Sequence, residues 1–214
     1  MCYQTRLLKK KEEIQKRFSI PKDDLEGFNP SAIIKAFDYP KTPVITNEKP
    51  NSIQHFNWGL VPSWSTDTSH RHYTLNARIE TLHEKKSFKD VIQNRCLIIA
   101  DGFYEWKWLN KSGSKKEKHL LTIPNEELFS FAGIYSTWID IEGNHFNSYT
   151  MITTQANELM SEIHNTKKRM PIILNPSDEK KWLNGEEYKK FEFPYSQELV
   201  ATNLDLDRTQ LSIF

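Results

Sequence analysis

The position in this sequence best equipped for covalent chemistry is its second. Cys2 follows Met1 directly, so removing one methionine leaves an α-amine and a thiol on the same residue. Such a 1,2-aminothiol captures aldehydes. The neutral amine forms an imine, and the neighbouring sulfur adds to the imine carbon and closes a five-membered thiazolidine ring. An α-amine has an unperturbed pKa of about 7.7–8.0, which leaves a usable neutral fraction at physiological pH. Ring closure is intramolecular and gains the effective molarity of a tethered reactant. A cysteine codon after a start codon gives the same dipeptide by accident, and the two residues alone favour that explanation.

Other groups of chemical interest lie far along the chain. Glu105 sits in GFYEWKW. On an extended strand Phe103, Glu105 and Lys107 share one face, and Tyr104, Trp106 and Trp108 share the other. Desolvation among aromatic rings raises a carboxyl pKa, which suits proton transfer near neutral pH. An exposed glutamate paired with Lys107 is the commoner arrangement. His164 follows the helical-looking ANELMSEI and can act as a general acid or base, or can cap the helix C-terminus.

In LNARIET, the Asn76 amide can hold an amine or a sugar oxygen, and the Arg78 guanidinium can fork onto a phosphate. A turn asparagine and a surface ion pair would explain both equally well. Trp64, in WGLVPSW, can stack on a base, a contact worth about 1–3 kcal/mol, whereas Trp58 belongs to the core. Lys167, Lys168 and Arg169 offer a phosphate contact or a solvated loop. The other six histidines, His55, His70 and His119 among them, receive no role.

These groups need a scaffold, and the apolar pattern outlines one. A helix is predicted over 7–18, with Leu7, Ile14 and Phe18 on one stripe. A loop-rich stretch punctuated by Pro21, Pro30, Pro40 and Pro43 follows, then an extended segment at 52–58. A short helix is expected over 84–94, with Phe88, Val91 and Ile92 inward. β-Branched and aromatic content predicts strands at 95–108, 117–123, 128–138 and 146–154, with KSGSK turning the first hairpin. A helix at about 155–163 precedes a strand at 170–174. Asn175 reads as an N-cap with Pro176 at the first helical position, and 199–214 as an edge strand or tail. The expected fold is α+β: one compact β-rich domain over 1–214, with antiparallel strands and peripheral helices.

Composition sets the outer bounds. A chain of 214 residues with 37% hydrophobic content can bury one core. No apolar run approaches bilayer thickness, and the start MCYQTRLLKKKEE has no signal-peptide core. Two cysteines build no disulfide framework, and no Cys/His cluster suggests zinc, so neither metal nor cofactor is expected. A reducing cytoplasm fits best. The net charge of +1 predicts no global attraction to nucleic acid.

Taken in order, Met1-Cys2, WGLVPSW, LNARIET, ADGFYEW and IHNTKKRMP resemble the SRAP family (SOS response-associated peptidase), from Cys2 to about Leu174. The resemblance implies a compact β-rich α+β domain with a positively charged channel for single-stranded DNA. It also implies that abasic sites are shielded by a DNA–protein crosslink. Carried over by residue, it makes Cys2 the nucleophile after Met1 is removed, and Asn76 the holder of the N-terminal amine. Glu105 becomes the acid/base, and His164 the residue that helps open the sugar and reverse the crosslink. Arg78 and Arg169 match phosphate contacts, Trp64 a base-stacking wedge, and Pro40 and Thr153 backbone contacts to DNA.

Two features depart from the family pattern. The usual Met-Cys-Gly-Arg start is replaced by Tyr3 and Gln4, leaving Arg6 or Lys9 to stand in for the early arginine. Residues 165–168 also lengthen the histidine motif. The implied partner is single-stranded DNA carrying abasic sites, bound by a cytoplasmic monomer that is nucleoid-associated on DNA. Replication proteins are conceivable partners that no motif identifies. Two rival readings are an N-terminal-nucleophile cysteine peptidase or amidohydrolase and a non-covalent single-strand binder.

Overall fold

A computed structural model describes residues 2–21 and 25–206. The chain begins with β1 (Gln4–Leu7), α1 (Lys11–Phe18), β2 (Ser31–Lys35), β3 (Lys41–Thr46), β4 (Ile53–Trp58) and β5 (Asn76–Arg78). It continues with β6 (Arg95–Ala100), β7 (Gly102–Trp108), β8 (Lys116–Thr122), β9 (Phe129–Ile139) and β10 (His145–Gln155). It ends with α2 (Glu158–Ile163), β11 (Arg169–Pro171), β12 (Ile173–Leu174), α3 (Pro176–Leu183) and β13 (Val200–Asn203).

The strands form two sheets. The smaller runs β13-β8-β7-β1-β2. In the larger, β10 pairs with both β4 and β9, which closes β10-β4-β3-β6-β9 into a ring; β5, β11 and β12 attach to it. Closure leaves those five strands without a free edge. The α+β class with antiparallel strands and outlying helices is as expected. Two pairings are parallel, β10 with β4 and β10 with β5.

Several elements differ from the sequence pattern for physical reasons. The predicted helix at 7–18 starts only at Lys11, because Gln4–Leu7 is a strand held between β2 and β7. The Lys10 backbone N–H donates to Glu13 Oε2 at 2.9 Å and fixes the later start. The strand predicted over 95–108 is two strands in different sheets, broken at Asp101. That carboxylate is fully buried and accepts from Arg6 Nε at 2.7 Å and from the backbone N–H groups of Leu8 and Lys9. Gly102 follows because a Cβ there would come within 3.0 Å of Leu120 and 3.1 Å of the Arg6 guanidinium.

The proline-punctuated stretch is more ordered than its composition suggests. β3 accommodates Pro43 because its ladder with β6 begins only at Val44. Residues 84–94 hold one 3₁₀ turn, Lys89–Val91, instead of a helix, although Phe88, Val91 and Ile92 do point inward. The 170–174 strand divides into β11 and β12, whose neighbours are β10 and β9. α3 starts at Pro176 after Asn175 as predicted, but the Asn175 side chain accepts no hydrogen bond from the helix backbone, and its amide donates to the Tyr195 hydroxyl. β13 is the expected edge strand, and residues 207–214 lie outside the described residues.

The core positions the start of the chain. Cys2 packs in a buried cluster with Trp58, Phe103, Phe131, Tyr149, Met151 and Met160. Thr5 lies opposite Phe103 and Arg6 opposite Gly102, so the same register carries residue 3 towards Glu105. The Ala36 backbone N–H donates to the Tyr3 carbonyl at 2.9 Å and ties the other side.

Candidate functional site

Four separate segments converge where the chain starts. Cys2 and Tyr3 precede β1, Asn76 opens β5, Glu105 lies in β7, and His164 ends α2. Asn76 Nδ2 donates to the Cys2 carbonyl at 2.9 Å. Parallel pairing of β5 with Met151–Thr153 of β10 sets the height of that amide. The Asn76 Oδ1 atom is buried and has no hydrogen-bond partner among the described residues. An orphaned acceptor costs about 1–3 kcal/mol, so this position is built to receive an N–H or O–H.

Glu105 is 5% exposed, and burial pushes its carboxyl up to about 7. At neutral pH it is therefore divided between acid and base forms. His164 is buried at the helix C-terminus, and desolvation draws its pKa down to about 4, leaving a neutral imidazole. Its Nδ1 lies 2.8 Å from the Arg169 carbonyl and 3.2 Å from the Arg169 backbone N–H. One nitrogen of a neutral ring cannot serve both. The shorter contact requires Nδ1 to carry the proton, which makes Nε2 the acceptor.

Tyr3, Glu105, Trp106, Trp108 and His164 line a cavity of about 250 Å³, with Lys116 and Lys167 also in its wall. A larger cavity, about 480 Å³, lies beside Phe28, Pro40 and His55 and contains none of the four converging groups. Chemistry, not volume, selects the smaller one.

Cys2 itself is fully buried, with Sγ 3.6 Å from the Gln4 carbonyl. Desolvation raises its thiol pKa strongly, and the Glu105 charge raises it further. In a chain that retains residue 1, the Cys2 nitrogen is an amide and the sulfur a neutral, enclosed thiol. The sulfur is therefore not presented to solvent in this form.

The phosphate-contact candidates have different surroundings. Arg78 is exposed at the end of β5. Arg169 is buried and forks onto Glu80 at 2.6 and 2.8 Å, with a further bond to the Thr153 carbonyl at 2.8 Å. Its guanidinium is thus engaged within the protein, where Thr153 Oγ1 also donates to the Ala77 carbonyl at 3.1 Å. The Pro40 carbonyl accepts from the Trp58 backbone N–H at 2.9 Å, and neither Pro40 nor Trp64 lines the small cavity. Trp64 is 42% exposed beneath the Lys86 ammonium, 4.3 Å from the ring centroid. Arg6 is held by Asp101 and Glu126, so it is not a free substitute for an early arginine.

Sequence reasoning missed Tyr3, Trp106, Trp108 and Lys116 as cavity residues. Alternation along β7 had separated Glu105 from the tryptophans, yet Glu105, Trp106 and Trp108 all line the same cavity. Among the described residues, no group of three or more His, Cys, Asp and Glu side chains is arranged to hold a metal ion. No helix there is long and apolar enough to cross a membrane.

A strand ring joined to a second sheet, with a thiol at residue 2 beside a near-neutral carboxyl and a neutral imidazole, defines a narrow class of β-rich domain. The chain belongs to the SRAP family, described as SOS response associated peptidase, whose sequence model matches residues 1–208. The Bacillus subtilis (strain 168) protein YoqW, named an abasic site processing protein, is 39% identical over 186 residues, covering 86% of this chain and 80% of its own. The rat protein HMCES carries the same description and is 34% identical over 156 residues, 59% of this chain and 43% of its own length. A crystal structure of a Bacteroides thetaiotaomicron protein superposes with a TM-score of 0.84 at 32% identity, covering 97% of this chain and 94% of the other. One from Bordetella bronchiseptica gives a TM-score of 0.78 at 26% identity, covering 95% and 99%.

Proposed function

We propose that this protein processes abasic sites in single-stranded DNA by capturing the lesion's aldehyde on Cys2 once Met1 has been removed. The observation that carries this reading is the Asn76 amide bound to the Cys2 residue beside the cavity lined by Glu105 and His164. The names of the related proteins support an abasic site as the substrate. All four groups come from one chain, so the chemistry needs no second subunit.

An abasic deoxyribose equilibrates between a closed hemiacetal and an open aldehyde, and only the aldehyde reacts. Freed by loss of Met1, the Cys2 amine adds to the carbonyl carbon and gives a carbinolamine. Glu105, in its protonated form, donates to the departing hydroxyl, which leaves as water and yields the iminium ion, its nitrogen keeping its proton. The carboxylate so formed takes the thiol proton as sulfur bonds to the iminium carbon, whose C=N electron pair returns to the nitrogen. The net change is one water released and one thiazolidine formed. Neutral His164, through Nε2, accepts the sugar hydroxyl proton as the bond from C1 to the ring oxygen breaks, and returns it to that oxygen. The orphaned Asn76 Oδ1 suits the new amine as an acceptor. Ring closure matters because an imine left alone acidifies the neighbouring sugar proton and invites strand cleavage by β-elimination.

The burial of the thiol fits this order of events. Sulfur kept neutral is a poor nucleophile towards other electrophiles. It becomes reactive where Glu105 is at hand to remove its proton. Cys2→Ala retains an N-terminal amine, so it should bind single-stranded DNA while forming no heat-stable adduct with an abasic oligonucleotide on a denaturing gel. A full-strength band from that variant would overturn the reading. Catalytic cleavage of unrelated peptides by the wild-type protein would favour the peptidase reading instead.

A further inference from the structure

β7 is covered along only part of one side. Its pairing with β1 sets Arg6 opposite Gly102 and Thr5 opposite Phe103, and β1 itself starts only at Gln4. The strand nevertheless runs on to Trp108, which faces Lys116 of β8 on the other side. Past the start of β1, the uncovered side presents backbone N–H and C=O groups that need partners. One side chain meets them at Trp108. Asn165 Oδ1 accepts from the Trp108 backbone N–H at 3.2 Å, and Asn165 Nδ2 donates to the Trp108 carbonyl at 2.9 Å. A single amide thus pairs with Trp108 as a neighbouring peptide unit would.

Asn165 belongs to the turn that follows α2. There the His164 carbonyl accepts from the Lys168 backbone N–H at 2.9 Å, and the Lys168 carbonyl accepts from the Ala156 backbone N–H at 3.0 Å. These bonds close residues 164–168 into a compact loop beside α2. Thr166 and Lys167 of that loop line the cavity shared by Glu105 and His164. Thr166 and Trp108 also line a second cavity of about 490 Å³, whose wall includes Asn165 and Lys111. The Asn165–Trp108 bridge therefore stands at the boundary between the two.

We infer that Asn165 is a positioning residue, which holds the His164 imidazole in place against Glu105 by fixing the turn after α2 to the end of β7. This deepens the function proposed above and rests on it. Glu105 and His164 arrive on different elements, and proton transfer needs both within hydrogen-bond reach of one substrate. The bridge ties the two backbones one residue from His164 and three residues, about 10 Å of strand, from Glu105. The bonds of the imidazole to the Arg169 backbone hold the ring within its own turn. Asn165 holds that turn to the strand.

The first arm of the test is a double-variant cycle on the rate of adduct formation with an abasic single strand. Asn165→Ala should slow capture by about tenfold to a hundredfold, the cost of a misplaced reacting group. Binding of a strand carrying tetrahydrofuran, an abasic analogue without an aldehyde, should not change. In a His164→Ala background the same substitution should slow capture no further. Asn165→Gln keeps the amide on a longer stem and should recover part of the rate; it also serves the cycle if the alanine chain fails to fold. Equal slowing in both backgrounds, or none in the first, would overturn the inference. The second arm needs no reaction. The imidazole resonances of His164, assigned by their absence from His164→Ala, should shift in Asn165→Ala and stay in place in Lys111→Ala, an exposed position in the neighbouring cavity. Unshifted resonances in Asn165→Ala would overturn the inference as well. A wild-type protein that forms no covalent product would remove the capture reaction, and the second arm alone would then decide the role of Asn165.

Discussion

Glu105 is the residue on which the proposed capture turns, because burial holds its pKa near the working pH. Its folded value of about 7 lies above the unperturbed glutamate value of about 4.3. Between those values the folded protein binds the extra proton, so stability falls as pH rises through about 7. Glu105→Gln removes this slope, which thermal melts from pH 5 to 8 would show. The kinetic signature has the same origin. If protonated Glu105 expels water from the carbinolamine, the rate ratio of wild type to Glu105→Gln should shrink as pH rises through about 7. A ratio that stays constant from pH 6 to 9 would remove Glu105 from that step. His164, neutral throughout this range, adds no inflection.

The cysteine after Met1 and the glutamate among aromatics stood out in the sequence as candidates, but each alone favoured a bland explanation, and only the set of motifs in order outweighed it. The engagement of Arg169 with Glu80 was not legible there, because those residues lie 89 positions apart and meet only through β10 and β11.

At the scale of elements, β9 and β10 are the spine from which the site hangs. β9 carries Gly133 opposite Cys96 of β6, where an added Cβ would come within 2.8 Å of Cys96 Sγ and Ile98 Cδ1. Gly133→Ala should therefore overpack the ring and cost about 1–3 kcal/mol, read as a lower denaturation midpoint. On the neighbouring edge, the Arg169–Glu80 fork braces β11 against the turn after β5. Arg169→Gln and Glu80→Gln should each destabilise, and the double variant should lose less than the sum of the two. Additive losses would show that the fork does not couple these segments.

The strand-rich middle of the chain was readable because β-branched and aromatic residues crowd it. The break at Asp101 was not. A single buried carboxylate, satisfied by three donors from the first nine residues, redirects one continuous apolar run into a second sheet. Local pattern cannot report a partner so distant in sequence. The same limit hid β1, whose last residue, Leu7, reads as the start of a helix although β2 and β7 claim it for a strand.

For the whole molecule, two sheets meet so that the first residues of the chain lie beside groups from β5, β7 and α2. The ring supplies a rigid wall with few free edges, and the smaller sheet fixes the register of β1 against β7. Cys2 and Tyr3 are thus built into the core and not left as a tail. Such placement gives a site held by long-range pairing, so unfolding and loss of function should coincide.

The central claim is that both the nitrogen and the sulfur of Cys2 end in the product. It is tested by reacting the protein with an abasic single strand, denaturing the product, alkylating its free thiols and measuring the intact mass. The sequence has two cysteines. The account predicts a chain without Met1, joined to DNA with loss of one water, and carrying a single alkyl group on Cys96. Two alkyl groups on the joined product, or Met1 still attached, would contradict it.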